Sequence, residues 1–234
     1  MTRKSVAILQ SNYIPWKGNF DMINMVDEYI IFDDVQYTKR DWRNRNRIVT
    51  KDGLKWLTIP VRNMSFHQKI VDTEIVSDGW AEKHWKILKQ NYKEAAFFSE
   101  LQARIKEMYE RASRENYLSR INYIFLKGIC GLLGIQTDIQ WSTNYYPEGL
   151  KSDRILDICL KAGADEYVSG PAARNYLDVA SFEKNGISVK WMSYKGYPEY
   201  EQLHGYPFFH NVSIIDLLFC CGVDGTRKNM LSFT

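Results

Sequence analysis

The stretch that decides the fold is ILQSNYIPWKGNFDMINMVDEYIIFDDVQYTKRDWRNRNR, which runs from Ile8 to Arg47. It begins within a short apolar run over 6–9, which is typical of a buried strand. A polar and aromatic loop follows, then a segment of helical periodicity, then a second apolar run over 29–32. This pattern predicts a βαβ unit. Ligands bind at the carboxyl ends of the strands in open α/β sheets, so we expect the binding site where the two runs end.

Length and composition limit the class of protein. The chain has 234 residues, 45% hydrophobic and 25% charged, with a net charge of +3. A chain of this length can form one large α/β domain or one domain with an appended piece, and we expect a single domain over 1–234. The charge does not favour a nucleic-acid partner. No apolar run approaches the roughly 20 residues of a membrane span, and no secretory signal is visible. The four cysteines lack CxxC spacing. We therefore expect a cytoplasmic protein without a metal site.

Two additions interrupt the α/β pattern. A β-hairpin is predicted over 47–61, because Asp52-Gly53 is a strong turn signal between two runs of β-type residues. Apolar residues at helical spacing predict three helices between about 80 and 134, with Gly134 ending the third. We expect these helices to form a block packed beside a mostly parallel sheet.

The α/β pattern then resumes towards the carboxyl terminus. Ser152 is a suitable cap for a helix over 153–162, and a further helix is expected to start near Tyr176. The last helix is apolar nearly all round and is therefore expected to be buried. The remaining expected elements are an exposed loop at 64–68, short strands at 69–76, 137–141, 166–168 and 187–192, and the last helix at 213–221.

The loop over 12–19 connects the first strand to the first helix and carries the first group of candidate residues. A glycine at 18 allows close approach of a ligand to the backbone, and a helix amino terminus favours anions. The GxGxxG fingerprint is absent. The loop resembles that of the nucleotidyltransferase-like α/β superfamily, although both histidines of its His-x-Gly-His motif are missing; a simple tight turn is the alternative. The residues expected to bind substrate here are Asn12, Tyr13, Trp16, Lys17, Gly18 and Asn19.

The candidate catalytic groups are two aspartates and one histidine. Asp33 and Asp34 end the second apolar run, and at most one of them faces a given pocket because adjacent strand residues point to opposite faces. A carboxylate whose pKa is raised by burial is a suitable general base; a polar turn is the alternative. His204 lies in a polar loop over 200–205, and histidine titrates near neutral pH.

An arginine-rich segment over 39–47 predicts phosphate binding. Arginine matches phosphate oxygens with two hydrogen bonds, and an extended chain would place Arg43, Arg45 and Arg47 on one face. A nucleotide diphosphate is the expected target, and a solvated basic face is the alternative. Other polar or small residues, beside predicted strand ends or in the loop over 200–205, complete the set. The expected binding residues are Gln36, Tyr37, Arg43, Asn44, Arg45, Ser169, Gly170, Arg174, Tyr176 and Gln202.

Five stretches together resemble the WbqC-like protein family. They are QSNYIPWKG at 10–18, DDVQY at 33–37, RNR at 43–45, GADEYVSG at 163–170 and SIIDLLF at 213–219. The resemblance covers nearly the whole chain, and it departs at Ser11, where many members have proline. It implies a transferase of bacterial O-antigen, lipopolysaccharide or other surface-polysaccharide biosynthesis. Such an enzyme would add an acyl or aminoacyl group, for example glycyl, to the amine of a nucleotide-linked amino sugar.

The resemblance leaves the acyl donor open. The expected donor is a thioester on coenzyme A or on an acyl carrier protein, which would then be a partner. The alternative donor system is ATP with a free acid, which would make the protein an amide ligase that works through an acyl-adenylate. A third hypothesis is a non-catalytic protein that binds nucleotide sugars.

Overall fold

The computed structural model describes residues 3–62, 65, 67–76, 79–204 and 207–233. Within them, five parallel strands form a central sheet, and two further strands form a separate antiparallel hairpin. The strands are β1 (Ser5–Leu9), β2 (Glu28–Ile31), β3 (Arg45–Thr50), β4 (Gly53–Thr58), β5 (Asp138–Trp141), β6 (Glu166–Ser169) and β7 (Ser188–Trp191). The central sheet has the order β5-β2-β1-β6-β7, and the hairpin consists of β3 and β4. The predicted α/β class and the inserted hairpin are thereby confirmed.

The described helices also follow the predicted pattern. They are α1 (Lys17–Asn24), α2 (Trp80–Tyr92), α3 (Phe98–Ala112), α4 (Leu118–Leu133), α5 (Lys151–Lys161), α6 (Val179–Lys184) and α7 (Ile214–Lys228). Helices α2 to α4 are the expected block, and Gly134 ends the third of them with a φ of 68°. This left-handed conformation is accessible to glycine at little cost.

The hydrophobic core has two parts, one on each face of the central sheet. Ala7 of β1 packs into the larger part, with side chains from α1, the helical block and α7. Val6 and Ile8 point the other way, into a smaller part built with α5 and α6. Side chains alternate along a strand, so a strand covered on both faces needs apolar residues at every position. This explains the unbroken apolar run at 6–9.

Several expected boundaries were wrong, each for a local reason. Helix α5 begins one residue before Ser152, whose hydroxyl accepts a hydrogen bond from the Asp178 backbone N–H (2.9 Å) instead of capping its own helix. Helix α6 begins at Val179 rather than near Tyr176, because Asp178 is its cap.

The expected strand over 69–76 is replaced by isolated bridges, in which Lys69 pairs with Gln36 and Ile75 with Val61. Helix α7 continues well beyond 221. It bends at Gly222, where a Cβ atom would lie 2.5 Å from the ring of Phe97. Residues 64 and 66 of the expected exposed loop lie outside the described residues.

The strand order places a topological switch point beside β1. The chain passes from β1 to β2 on one side, whereas β6 pairs with β1 on the other side. A crevice therefore forms beyond Leu9 and Ser169, where ligands bind in folds of this kind. Among the described residues, none of the helices has the length and apolar character needed to cross a membrane.

Candidate substrate-binding cleft

A cleft lies at the carboxyl edge of the sheet, beside the loop that follows β1. It consists of two hollows of about 240 and 480 Å³, and both have Trp16 and Asn211 in their walls. The larger hollow is of the size of a small-molecule site. Aromatic rings and side-chain amides dominate the lining, which also includes one histidine: Asn12, Pro15, Trp16, Trp42 and Asn46 in the first hollow, and Tyr194, Gly196, Tyr197 and His210 in the second.

The loop after β1 is held in a strained conformation at the cleft. Ile14 has a φ of 36°, and it is fully buried. A β-branched residue rarely adopts this region, and such strain persists only where the surroundings enforce it. The Asn46 side-chain amide enforces it here by donating hydrogen bonds to the carbonyl oxygens of Tyr13 (3.1 Å) and Ile14 (2.9 Å). Asn46 therefore positions the wall that it also lines.

Arg43 holds the first part of the same loop. Its Nη1 donates to the carbonyl oxygens of Gln10 and Ser11, both at 3.2 Å, and to Asn12 Oδ1 at 2.5 Å. Burial lowers the pKa of its guanidinium. These bonds engage the side chain within the protein, so the structure gives Arg43 a positioning role in place of the expected contact with phosphate.

Gly18 makes room for the ring of Trp16. A Cβ atom at Gly18 would lie 2.4 Å from the Trp16 Cζ2 atom. The Trp16 ring in turn packs edge-on against Tyr194 and Tyr197, with centroid distances of 5.0 and 5.6 Å. The glycine thus shapes the aromatic wall of the cleft, which differs from the expected close approach of a ligand to its backbone.

Lys17 lies under this wall and does not line the cleft. Only 4% of the residue is exposed, and its Nζ donates to the carbonyl oxygen of Pro198 (3.1 Å) and lies 4.8 Å from the centre of the Tyr197 ring. Burial lowers the pKa of Lys17 to about 8. Burial beneath the aromatic wall therefore disfavours the charged form of Lys17.

The two aspartates after β2 point to different surroundings, as predicted. Asp33 is buried and accepts hydrogen bonds from the Ser11 backbone N–H (2.8 Å) and from the Ser119 hydroxyl. Burial raises the pKa of Asp33. Asp34 accepts a hydrogen bond from Ser142 and forms an ion pair with Arg154. The structure ties both carboxylates into the protein beside the cleft, and neither contributes to its lining.

The histidine that the structure brings to the cleft is His210, not His204. The His204 Nε2 atom lies 3.2 Å from the carbonyl oxygen of Asn91, near the end of α2. His210 lines the second hollow, where its ring packs edge-on against Phe208 at 4.5 Å and its Nε2 lies 3.9 Å from a carboxylate oxygen of Glu199. Gly205, which ends the predicted polar loop, lies outside the described residues.

Several other expected binding residues are part of the buried structure. The Tyr13 hydroxyl lies within hydrogen-bond distance of His84 and Tyr109 in the core. Asn44 donates to the Ile59 carbonyl oxygen (2.8 Å), and Gln202 donates to the buried carboxylate of Asp216 (3.0 Å). Three more expected residues are also buried: Asn19, Tyr37 and Ser169.

The remaining expected residues lie nearer the surface. The Arg45 guanidinium lies 4.2 Å from the Trp56 ring, and that of Arg174 lies 5.1 Å from the Trp191 ring. Gly170 follows β6, and a Cβ atom there would lie 3.7 Å from the Tyr194 hydroxyl. Two more are exposed: Gln36 and Tyr176.

Eight of the ten lining residues were not among the expected binding residues, and Pro15 and Gly196 are two of the eight. Trp42 and Asn46 lie within the arginine-rich segment, where the charged residues gave the stronger signal for binding. Aromatic residues make up 14% of the chain, but nothing in the positions of Tyr194 and Tyr197 gave a reason to select them. No sequence signal distinguished Asn211 or preferred His210, because these residues reach the cleft only through folding.

The described residues do not include a cluster of three or more histidine, cysteine or acidic side chains that could hold a metal ion. The four cysteines are free thiols. Burial raises the pKa of each, to about 12 for Cys130. A thiol with a raised pKa is a poor nucleophile at neutral pH.

Comparisons with known proteins give two matches. The model of the WbqC-like protein family matches residues 10–228. A protein of Mycobacterium tuberculosis that is named uncharacterized protein Rv1507c is 49% identical over 222 residues, which is 94% of this chain and 95% of that protein. No solved structure matches the chain.

Proposed function

The chain belongs to the WbqC-like protein family, and we propose that it transfers an acyl or aminoacyl group, such as glycyl, to the amine of a nucleotide-linked amino sugar. This reaction would serve the biosynthesis of O-antigen or another bacterial surface polysaccharide. The amino sugar would occupy the cleft at the switch point.

One observation carries this proposal: aromatic rings and side-chain amides line the cleft together. The rings of Trp16, Tyr194 and Tyr197 offer rigid apolar surfaces for the face of a sugar. The amides of Asn12 and Asn211 offer both donors and acceptors for hydroxyl groups. A pocket that is apolar with a few polar groups both holds and orients a ligand.

The proposed chemistry is attack of the sugar amine on a thioester. A bond forms between the amine nitrogen and the carbonyl carbon, the carbon–sulfur bond breaks, and the thiol leaves. The nitrogen must lose a proton as the amide forms. His210 is the imidazole in the wall of the second hollow, and a neutral imidazole can accept such a proton.

The test is mass spectrometry of the purified protein incubated with UDP- and dTDP-linked amino sugars. One arm receives acetyl-coenzyme A or other acyl thioesters, and a second receives free glycine with ATP. We expect the sugar nucleotide to gain the mass of the acyl group in the thioester arm. A gain only with ATP would replace the thioester mechanism with an acyl-adenylate. Binding without a gain in either arm would make the protein a binding protein.

The role of His210 has its own test. We expect His210→Gln to lower kcat by about 100-fold or more, since general bases contribute that much, with a small effect on KM. His204→Gln is the matched control, because that ring contacts the end of α2 instead of the cleft. Equal losses in both variants would contradict the assignment.

A further inference from the structure

The outward face of the hairpin carries two tryptophans that are open to solvent. Trp42 is 38% exposed and Trp56 is 42% exposed. Their ring centres lie 5.4 Å apart, with an angle of 38° between the planes. Single exposed apolar residues are common, but two adjoining tryptophan rings form a surface that is costly to leave in water unless it serves binding.

The pairing of the hairpin explains why cations lie on the same face. Arg47 of β3 is directly opposite Trp56 of β4, and opposite residues of an antiparallel pair point to the same side. Arg45 is two positions earlier, so it shares this side. Asn46, which lies between them, and Ile48, which follows Arg47, point inward and are buried. Alternation thus separates an arginine side from a core side.

The two arginines lie over the rings. The Arg45 guanidinium carbon is 4.2 Å from the Trp56 ring centre, and that of Arg47 is 5.4 Å from the centres of both Trp42 and Trp56. None of the ion pairs between described residues includes Arg45 or Arg47. The charge of Arg45 contributes to lowering the pKa of Asp41, so that carboxylate offsets part of it, whereas Arg47 has no carboxylate partner among the described residues.

Each of the two arginines also has one hydrogen-bond donor without a partner among the described residues. The Nε atoms of Arg45 and Arg47 are buried and have no hydrogen-bond partner within the described part of the chain. Buried donors are normally paired, so an unpaired one calls for an explanation. A phosphate offers several acceptor oxygens to arginine, and the two side chains would have to shift for the buried Nε atoms to reach them.

This face continues directly from the cleft. Trp42 belongs both to the face and to the wall of the first hollow. Arg47 Nη2 donates to the carbonyl oxygen of Asn211 (3.0 Å), a residue that lines both hollows. A ligand extending out of the cleft would therefore pass Trp42 and reach Arg47 and then Trp56.

We propose that Trp42, Arg45, Arg47 and Trp56, here called the tryptophan–arginine face, bind the nucleoside diphosphate of the sugar nucleotide. The base stacks on Trp56, the diphosphate accepts hydrogen bonds from Arg45 and Arg47, and the sugar passes Trp42 into the cleft. Aromatic stacking suits any base, because every base has a π-face. This inference rests on the proposed function, since it assigns the nucleotide end of the same substrate.

The experiment is calorimetric titration of the full chain with UDP, dTDP, GDP and ADP, and with the matching nucleosides. We expect at least one nucleoside diphosphate to bind, and Trp56→Ala to weaken its binding by about 10- to 100-fold, the usual range for one stacking ring. Trp56→Phe keeps an aromatic ring and should lose less than about 5-fold. Thermal unfolding of each variant checks that the fold is intact.

A second pair of variants tests the phosphate contact. Arg47→Ala should weaken the binding of the diphosphate and leave the affinity for the nucleoside nearly unchanged. The variant loses only contacts to phosphate oxygens, which the nucleoside lacks. Arg120→Ala is the matched control. The guanidinium of Arg120 also lies over a tryptophan ring (Trp141, 4.9 Å), but on the helical block away from the cleft lining.

Failure of this inference differs from failure of the transferase proposal. It is overturned if none of the diphosphates binds at millimolar concentration, or if Trp56→Ala binds them as tightly as the wild type. Acyl transfer with an unchanged KM for the sugar nucleotide in Trp56→Ala would overturn the subsite and keep the transferase. Nucleotide binding that is weakened in the variants, without any acyl product, would keep the subsite and overturn the transferase.

Discussion

The ends of β1 and β2 are neighbours in the sheet, and both are followed by polar residues. After β1 the chain lines a cleft with Asn12 and Trp16. After β2 it places Asp33 and Asp34 in hydrogen bonds and an ion pair within the protein. A polar residue at the carboxyl end of a strand is therefore not by itself a sign of a binding site.

The difference arises from what lies beyond each strand. The strand order reverses beside β1, so helices diverge there and leave a crevice. Strand β2 lies between β1 and β5, and side chains of Ser119, Ser142 and Arg154 close the space beyond it. Substitutions at Asp33, Lys17 and Asn46 test this contrast, with progressively smaller expected effects.

The largest effect is expected from Asp33→Ala. The change removes the acceptor for the Ser11 backbone N–H and for the Ser119 hydroxyl, and it removes a buried charge near Arg43. Breaking a buried charged network costs about 3 to 5 kcal/mol, and we expect the free energy of unfolding in urea to fall by that amount. Asp33→Asn is the control and should lose less, since it keeps an acceptor oxygen.

Unchanged stability with abolished turnover in Asp33→Ala would contradict this view. Asp33 would then be a catalytic group, and the contrast between the two strand ends would no longer hold.

The second effect concerns the charge beneath the cleft. The pKa of Lys17 is about 8 in the folded protein and 10.5 ordinarily. Between these values the unfolded chain binds more protons, so stability rises with pH across this interval, by about 3 kcal/mol in total. Below pH 8 the full penalty for the buried charge applies.

Lys17→Met should remove this dependence. The measurement is the free energy of unfolding from pH 7 to 10 for the wild type and the variant, whose other titrating groups are shared. We expect the wild type to gain stability relative to the variant as the pH rises. If the free energy of unfolding had the same pH dependence in both proteins, burial would not disfavour the charged form of Lys17.

The smallest effect is expected from Asn46→Ala. The change frees the carbonyl oxygens of Tyr13 and Ile14, so the strained loop can relax. We expect a loss of about 1 to 2 kcal/mol of stability, with a clear weakening of sugar-nucleotide binding.

Asn44→Ala is the matched control for that change. Asn44 is buried nearby and donates to the Ile59 carbonyl oxygen, outside the cleft. It should cost similar stability and leave binding unchanged, as seen by calorimetry with a UDP- or dTDP-linked amino sugar. Equal binding losses in both variants would mean that general destabilisation, and not the loop, controls binding.

The sequence was sufficient to predict most of the architecture. The apolar run at 6–9, the Asp52-Gly53 turn and the periodic segments between 80 and 134 are local signals, and each became the element expected. It also predicted a binding site at the ends of the first two strands, and the cleft lies beside the first of them. The roles of individual residues were less accessible: Gly18 accommodates Trp16, and Arg43 holds a loop.

Periodicity and turn chemistry act over a few residues, so the α/β class, the hairpin, the helical block and the resemblance to the family could be predicted from the chain alone. Which polar groups remain available for a ligand depends on tertiary packing. Arg43 donates to the backbone of Gln10 and Ser11, and Asp34 pairs with Arg154. Residues so far apart in the chain are brought together by the packing of the whole sheet and its helices. That packing places His210 in the cleft and Asp33 outside it.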